Sequence, residues 1–258
     1  MSLVEQWYVL FTLSIREVKR FMRIWVQTLV PPVISIMLYF LIFGAFIGPR
    51  IGEMGGRNYM EFILPGLVMM SVINNAYSNV ASSFYTNKFQ RSIECMLIAP
   101  IPNYLLLTGF VFGGVTRSLL TGLLLMTATF FFIKFEITHL LVTLAVIFLA
   151  SVVFSLGGFI NGMMADKFDD VTIVPTFILT PLTYLGGVFY DVELLSDFWR
   201  NLSYLNPIVY MVSGFRYGIF GDSSDIQIAH VFVMLSVFTL LLWGVSIYLL
   251  RKGFRIKY

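Results

Sequence analysis

The chain has 258 residues, 58% apolar and 12% charged, with a formal net charge of +3 and a mean hydropathy of +0.86. Those values exclude an ordinary soluble domain. The apolar residues come in blocks of membrane-span length and not in short alternations. The expected class is therefore an all-α polytopic membrane protein, with room for about six spans and no separate globular domain. One cysteine, Cys95, excludes an internal disulfide framework, and His139 and His230 stand apart without clustered ligands, so no metal site is expected.

Residues 1–24 place Val4, Tyr8, Phe11, Ile15, Val18 and Met22 at helical spacing, with Glu5, Thr12, Arg16, Lys19 and Arg23 on the other side. This pattern predicts a basic amphipathic helix on the cytoplasmic membrane surface. No small-residue cleavage site follows, so it is not a cleavable signal. A first span is expected over residues 25–48, where Pro31-Pro32 either begins the regular helix or kinks it. The second, over 59–85, carries Ser71, Asn74, Asn75, Ser78, Asn79, Ser82 and Ser83 at steps of three and four. Amides in hydrocarbon are costly unless they face other helices or water. The band therefore either lines a polar pathway or joins helices within the bundle and a dimer.

Residues 86–103, TNKFQRSIECMLIAPIPN, form an inner loop in which Arg91 to Ala99 makes a short helix closed by Pro100 and Pro102. A compact charged helix between two spans suits docking of a cytoplasmic partner; a plain connecting turn is the other reading. The third expected span, 104–133, is apolar except for Arg117. An intramembrane arginine needs a carboxylate, a water-filled cavity or an anionic ligand, unless it snorkels to the inner interface. Gly109, Gly113, Gly114 and Gly122 permit close helix contact on the same segment. The fourth span, 140–164, holds Gly158-x-x-x-Gly162; the inner turn ADKFDD leads to a fifth over 171–189 with Pro175 and Pro181.

Residues 190–228 refuse to become another full span. Leu194, Leu195, Phe198, Leu202 and Leu205 fall on one helical face opposite Ser196, Asp197, Arg200, Asn201 and Ser203. After the Asn206-Pro207 break a second apolar piece runs only to Phe215 before Arg216 interrupts it. Neither piece reaches the roughly 20 residues a crossing needs, so a paired, re-entrant or surface-lying outer element is expected. A sixth span over 229–250 precedes the basic tail RKGFRIKY. With both termini inside, eleven Lys and Arg residues lie in inner segments, against five outside at Arg50, Arg57, Lys134, Arg200 and Arg216. That bias obeys the positive-inside rule, and the acids Asp191, Glu193, Asp197, Asp222 and Asp225 gather outside.

Enzyme motifs are missing. None of the lysines follows a glycine, which excludes a phosphate-cradling G-x-x-x-x-G-K-[ST] loop, and there is no G-x-S-x-G or H-E-x-x-H. Intramembrane acids and clear internal repeats, the marks of an ion-coupled carrier, are also missing. Energy for uphill transport would have to come from another polypeptide.

The segment TPLTYLGGVFYDVELLSDFWRNLSYLNPIVYMVSGFRYGIFG resembles the membrane subunit of type-2 ATP-binding cassette exporters, in its glycine-aromatic turn, outer helix, Asn-Pro break and following arginine. QRSIECMLIAPIPNYLLL is similar to the same family's inner coupling element, with Ser92-Ile93 where Gly-Thr is usual. The resemblance covers nearly the whole chain and implies a homodimeric permease of the bacterial inner membrane, a single transmembrane domain that exports a hydrophobic or amphipathic substrate (lipid, drug or glycan-like). Separate cytoplasmic ATPase subunits would bind ATP and Mg, this chain would hold no cofactor, and no nucleic-acid partner is expected. It further implies that Arg91, Ser92, Ile93, Glu94, Cys95, Met96 and Leu97 dock the ATPase. Asn74 to Ser82, Phe189 and Tyr190 would meet the substrate, and Arg117 is a further pathway candidate. Phe198, Asn206, Pro207 and Arg216 would close the outer gate. A stand-alone channel that needs no ATPase is the alternative.

Overall fold

The computed structural model describes residues 1–130, 132–133, 136–221 and 226–253. Lys134, Asp222, Asp225 and the tail residues Arg255 and Lys257 lie outside the described residues, as do the side chains of Ala45 and Leu97.

Helix α1 (Leu3–Met22) starts at a capping box, where Ser2 Oγ accepts from the Glu5 amide at 3.3 Å and Glu5 Oε2 accepts from the Ser2 amide at 2.9 Å. Leu3, Val4, Trp7, Tyr8 and Phe11 are exposed, whereas Leu13, Ser14, Glu17 and Phe21 are buried. The apolar stripe thus faces away from the protein, the reverse of a soluble amphipathic helix and the orientation an interfacial one needs.

Helix α2 (Trp25–Tyr39) passes through a π-helical stretch, Phe40–Ile47, into the short α3 (Gly48–Ile51), giving one continuous apolar rod. Pro31 and Pro32 lie inside α2, not at its start. A small hairpin follows, in which β1 (Glu53–Met54) pairs antiparallel with β2 (Arg57–Asn58). Its turn residues Gly55 and Gly56 have φ of +60° and +72°, a conformation that favours glycine.

Helix α4 (Tyr59–Phe89) begins on an Asn58 cap and runs 31 residues, about 46 Å at 1.5 Å per residue. It is buried along most of its length between α6 (Asn103–Thr129) and α7 (Leu140–Met164). Glycines make that packing close. A Cβ on Gly162 of α7 would lie 2.6 Å from the Ala81 carbonyl oxygen of α4, and one on Gly158 would strike that of Tyr77. On α6, a Cβ at Gly114 would meet the Ala76 carbonyl at 3.1 Å. At the inner end, Phe84, Phe110 and Phe159 bring one ring from each helix together, with centroids 4.6–5.9 Å apart.

The remaining helices surround this core. Short α5 (Ser92–Ile98) follows α4; α8 (Phe168–Val174), a π stretch at Pro175–Leu179 and α9 (Thr180–Tyr184) form a proline-bent helix. The outer pair is α10 (Asp197–Tyr204) and α11 (Pro207–Phe220), before the final rod α12 (Ile228–Lys252). Among the described residues four rods are long and apolar enough to cross a membrane: Trp25–Ile51, Asn103–Thr129, Leu140–Met164 and Ile228–Lys252. Helix α4 has the length, but its serines and asparagines lower its apolarity, and burial among the others compensates. The bent helix stops at Tyr184 instead of reaching Phe189, because the chain turns at Gly186-Gly187.

Adding one methyl group at Gly162 should lower the unfolding midpoint in detergent, at a cost of about 1–3 kcal/mol from overpacking. Gly244→Ala, where a Cβ meets nothing within 4 Å, should leave the midpoint unchanged or raise it. Thermal unfolding of Gly162→Ala beside Gly244→Ala checks both.

Candidate functional site

Steps of three and four along α4 divide its polar band between two faces. Ser71, Asn75, Asn79 and Ser83 are buried inside the chain. Met70, Asn74, Ser78, Ser82 and Thr86, each four residues from the next, form a partly exposed stripe. Asn74 Nδ2 donates to the Met70 carbonyl at 2.8 Å and Ser82 Oγ to that of Ser78 at 2.7 Å, which ties both side chains to their own helix. Asn75 likewise donates to the Ser71 carbonyl at 3.0 Å.

The buried face meets α1 in a polar clasp that pattern reading did not single out. Glu17, 1% exposed, accepts from Arg16 at 3.0 Å, from Arg20 at 3.2 Å and from Ser83 Oγ at 2.5 Å. Arg20 also donates to the Asn79 side-chain and main-chain oxygens at 2.7 and 3.0 Å. Room for this comes from α6: a Cβ at Gly113 would lie 2.6 Å from Glu17 Cβ, and one at Gly109 would lie 2.7 Å from Leu13 Cβ. The available signal was one acid between Arg16 and Arg20 on a helix that otherwise turns basic toward its end.

From the same cluster Arg16 reaches α5, donating to Met96 Sδ at 3.4 Å and lying 5.6 Å from the Phe110 ring centre. Helix α5 follows a left-handed Arg91 (φ +56°), and Ser92 Oγ anchors it by donating to the Asn87 carbonyl at 3.1 Å. Ile93 is buried in the inner core, whereas Glu94 and Cys95 are exposed and Phe89 and Ile98 are 76% and 85% exposed. The segment expected to dock a partner thus presents the Glu94 carboxylate and an exposed Arg91 between two bare apolar side chains. Lys88 fixes its base, donating to the Ala165 and Met163 carbonyls at 2.8 and 3.1 Å at the C-terminal end of α7.

The other candidates scatter. Arg117 donates to the Thr28 carbonyl of α2 at 3.3 Å and does not lie on the exposed stripe. Phe189 packs among Tyr39, Phe43 and Tyr184, with ring centres 5.1–6.0 Å away, and Tyr190 beside it is half-buried. Asn206 is a buried joint: its Nδ2 donates to the Leu182 carbonyl at 2.6 Å and its Oδ1 accepts from the Ile208 amide at 3.0 Å, starting α11 with Pro207 at its first position. Arg216 sits 3.9 Å over the Phe62 ring and donates to the Gly187 carbonyl at 3.1 Å, a strut holding the glycine turn against α4. Phe198, Leu202 and Leu205 leave the apolar side of α10 bare, as an interface-lying helix requires. Among the described residues no cluster of His, Cys, Asp and Glu could hold a metal ion.

These features define a polytopic helical membrane protein with a polar central helix, a short exposed helix at one end of it and a broken helix pair at the other. Residues 8–220 match the family model of ABC-2 type transporters, and the chain belongs to that family. It is 52% identical, over 96% of both chains, to the inner membrane transport permease YadH of Escherichia coli (strain K12), with the same figures for the Shigella flexneri protein of that name. To nodulation protein J of Neorhizobium galegae it is 24% identical over 84% of this chain and 82% of that one.

Removing the Glu17 carboxylate leaves two guanidiniums and a hydroxyl without their shared acceptor. Breaking a buried pair costs about 3–5 kcal/mol. The lower end is expected here, since the Arg16 and Arg20 side chains are 37% and 32% exposed. Glu17→Ala should therefore lower the unfolding midpoint far more than Ser83→Ala, and should expose the α1 basic residues to trypsin; limited proteolysis in detergent reads the second effect.

Proposed function

We propose that this chain is the transmembrane subunit of an ATP-driven exporter of the bacterial inner membrane. It works as a homodimer with two separate cytoplasmic ATPase subunits, which bind ATP and Mg. In this reading α4 and the bent α8–α9 helix cross the membrane alongside the four apolar rods, making six spans with both termini in the cytoplasm. Family membership and the 52% identity to an inner membrane transport permease support the class. The single observation that carries the coupling is α5. A buried Ile93 holds it to the core while Arg91 and Glu94 stand exposed between the bare side chains of Phe89 and Ile98, two opposite charges inside an apolar rim.

ATP-driven closure of the ATPases would push α5. Ile93 and the Arg16–Met96 contact would pass that displacement to α4 and α1 together. The exposed stripe Asn74–Ser78–Ser82 would line the substrate path between two copies, which suits the polar part of an amphipathic molecule. The aromatic group of Tyr39, Phe43, Tyr184 and Phe189 would meet its apolar part. Asn206 and Arg216 would hold the outer pair in place at the exit, as joints and not as groups in the lumen.

Pull-down of the tagged protein from its native membrane tests the reading. Co-purification of a cytoplasmic ATPase, abolished by Glu94→Lys with unchanged thermal unfolding, is expected. Substrate flux without any ATPase, indifferent to Glu94→Lys, would instead establish a channel. The double substitution Asn74→Leu, Ser78→Leu should reduce export while leaving ATPase binding intact, because both side chains are partly exposed; unchanged export would remove the stripe from the pathway. Substituting Asn75 would be less informative, since its bonds to Ser71 are buried.

A further inference from the structure

Where α1 ends and α2 begins, arginines outnumber their acidic partner. Arg16 and Arg20 share Glu17, and Arg117 arrives from α6 to donate to the Thr28 carbonyl in the early part of α2. Gly113, one helical turn before Arg117 on α6, lies against the same cluster: a Cβ there would be 2.6 Å from Glu17 Cβ and 3.6 Å from Asn79 Nδ2. Among the described residues Glu17 is the carboxylate that pairs with Arg16 and Arg20, Arg117 meets a carbonyl instead, and Arg23 adds an exposed fourth guanidinium just past the end of α1. Two donors in this cluster are buried without a partner, Nε of Arg117 and Nδ2 of Asn79. The excess is in positive charge and in hydrogen-bond donors alike.

The surroundings are apolar and uncovered. Ile24, Trp25 and Val26 are 45–53% exposed at the start of α2, and α1 leads to the same corner with Trp7, Tyr8 and Phe11 turned outward. An unneutralised guanidinium in such a setting is costly, and a carbonyl oxygen offers only a partial dipole in return. A helix half-immersed in the interface places its C-terminal end at headgroup depth, where the abundant anion is a lipid phosphate.

We propose that the corner formed by α1, α2 and α6 binds the phosphate of an inner-leaflet anionic phospholipid. Arg117 and Arg20 are its charge partners, and Ile24, Trp25 and Val26 lie along its acyl chains. Net negative lipids are preferred, because the phosphate of a zwitterionic lipid is already neutralised by its own headgroup. The site is independent of the ATPase reading, since it needs only the folded chain.

The full-length protein in neutral detergent is titrated with phosphatidylglycerol, with phosphatidylcholine and with inorganic phosphate, reading the thermal unfolding midpoint. Phosphatidylglycerol should raise the midpoint where the other two do not, and Arg117→Gln should need about tenfold more of it for the same shift. Arg50→Gln, at the opposite end of the Trp25–Ile51 rod from the proposed corner, should respond like wild type. An unaltered response in Arg117→Gln, or equal protection by phosphatidylcholine, would overturn the site. Protection by inorganic phosphate alone would overturn the lipid as its source and leave a soluble anion in its place. If Arg117→Gln does not fold, native mass spectrometry of wild-type protein from mixed phosphatidylglycerol and phosphatidylcholine vesicles decides: retained phosphatidylglycerol supports the site, and its absence overturns it.

Discussion

The apolar interior of the helix bundle cannot hydrogen-bond the polar side chains of α4, and the arrangement of its neighbours follows from that constraint. Asn75 satisfies itself on the preceding turn. Asn79 and Ser83 have to be met from outside the helix, and α1 brings Arg20 and Glu17 to them. That approach is possible only because α6 presents Gly109 and Gly113 where larger side chains would hold α1 away. On the opposite side, Gly158 and Gly162 let α7 rest on the α4 backbone itself. One polar helix thus determines where two glycine pairs must lie and why the interfacial helix turns a carboxylate inward.

The two ends of α4 are held differently. At the inner end the ring triad of Phe84, Phe110 and Phe159, the Lys88 cap on α7 and the Glu17 clasp converge within two turns of α5. A displacement of α5 would therefore reach α1, α4 and α6 together, the property the proposed coupling uses. At the other end α11 packs into the main core through Ile208, Met211, Val212, Phe215 and Ile219. Arg216 bridges Phe62 and Gly187, and Asn206 ties the start of α11 to Leu182. Backbone bonds from Thr138 and His139 to the Ile219 and Gly218 carbonyls, at 2.9 and 2.8 Å, add a further hold on the end of α11.

Features governed by local pattern were legible in the sequence. The short helix expected from Arg91 to Ala99 is α5 at Ser92–Ile98, ended by the proline that follows. The Asn206-Pro207 break is a helix start, and the apolar face assigned to residues 194–205 is the bare face of α10. Features that depend on what lies across the contact were not legible. Arg117 and Arg216 looked alike as arginines interrupting apolar runs, yet one meets a carbonyl of α2 and the other an aromatic ring and a glycine turn. Glu17 attracted no notice because a glutamate in a basic amphipathic helix is ordinary until a glycine on another helix gives it somewhere to go.

Composition and block length alone determined that this is a helical membrane protein, because the hydrocarbon core sets a minimum apolar length that few other folds supply. Periodicity alone determined that α1 and α10 are amphipathic and that α4 carries polar groups at helical spacing. Which of those groups look into the chain and which look out was decided only by tertiary structure. Residues three and four apart occupy neighbouring positions on a helix, and a neighbour's backbone distance, set here by glycines on α6 and α7, chooses between them.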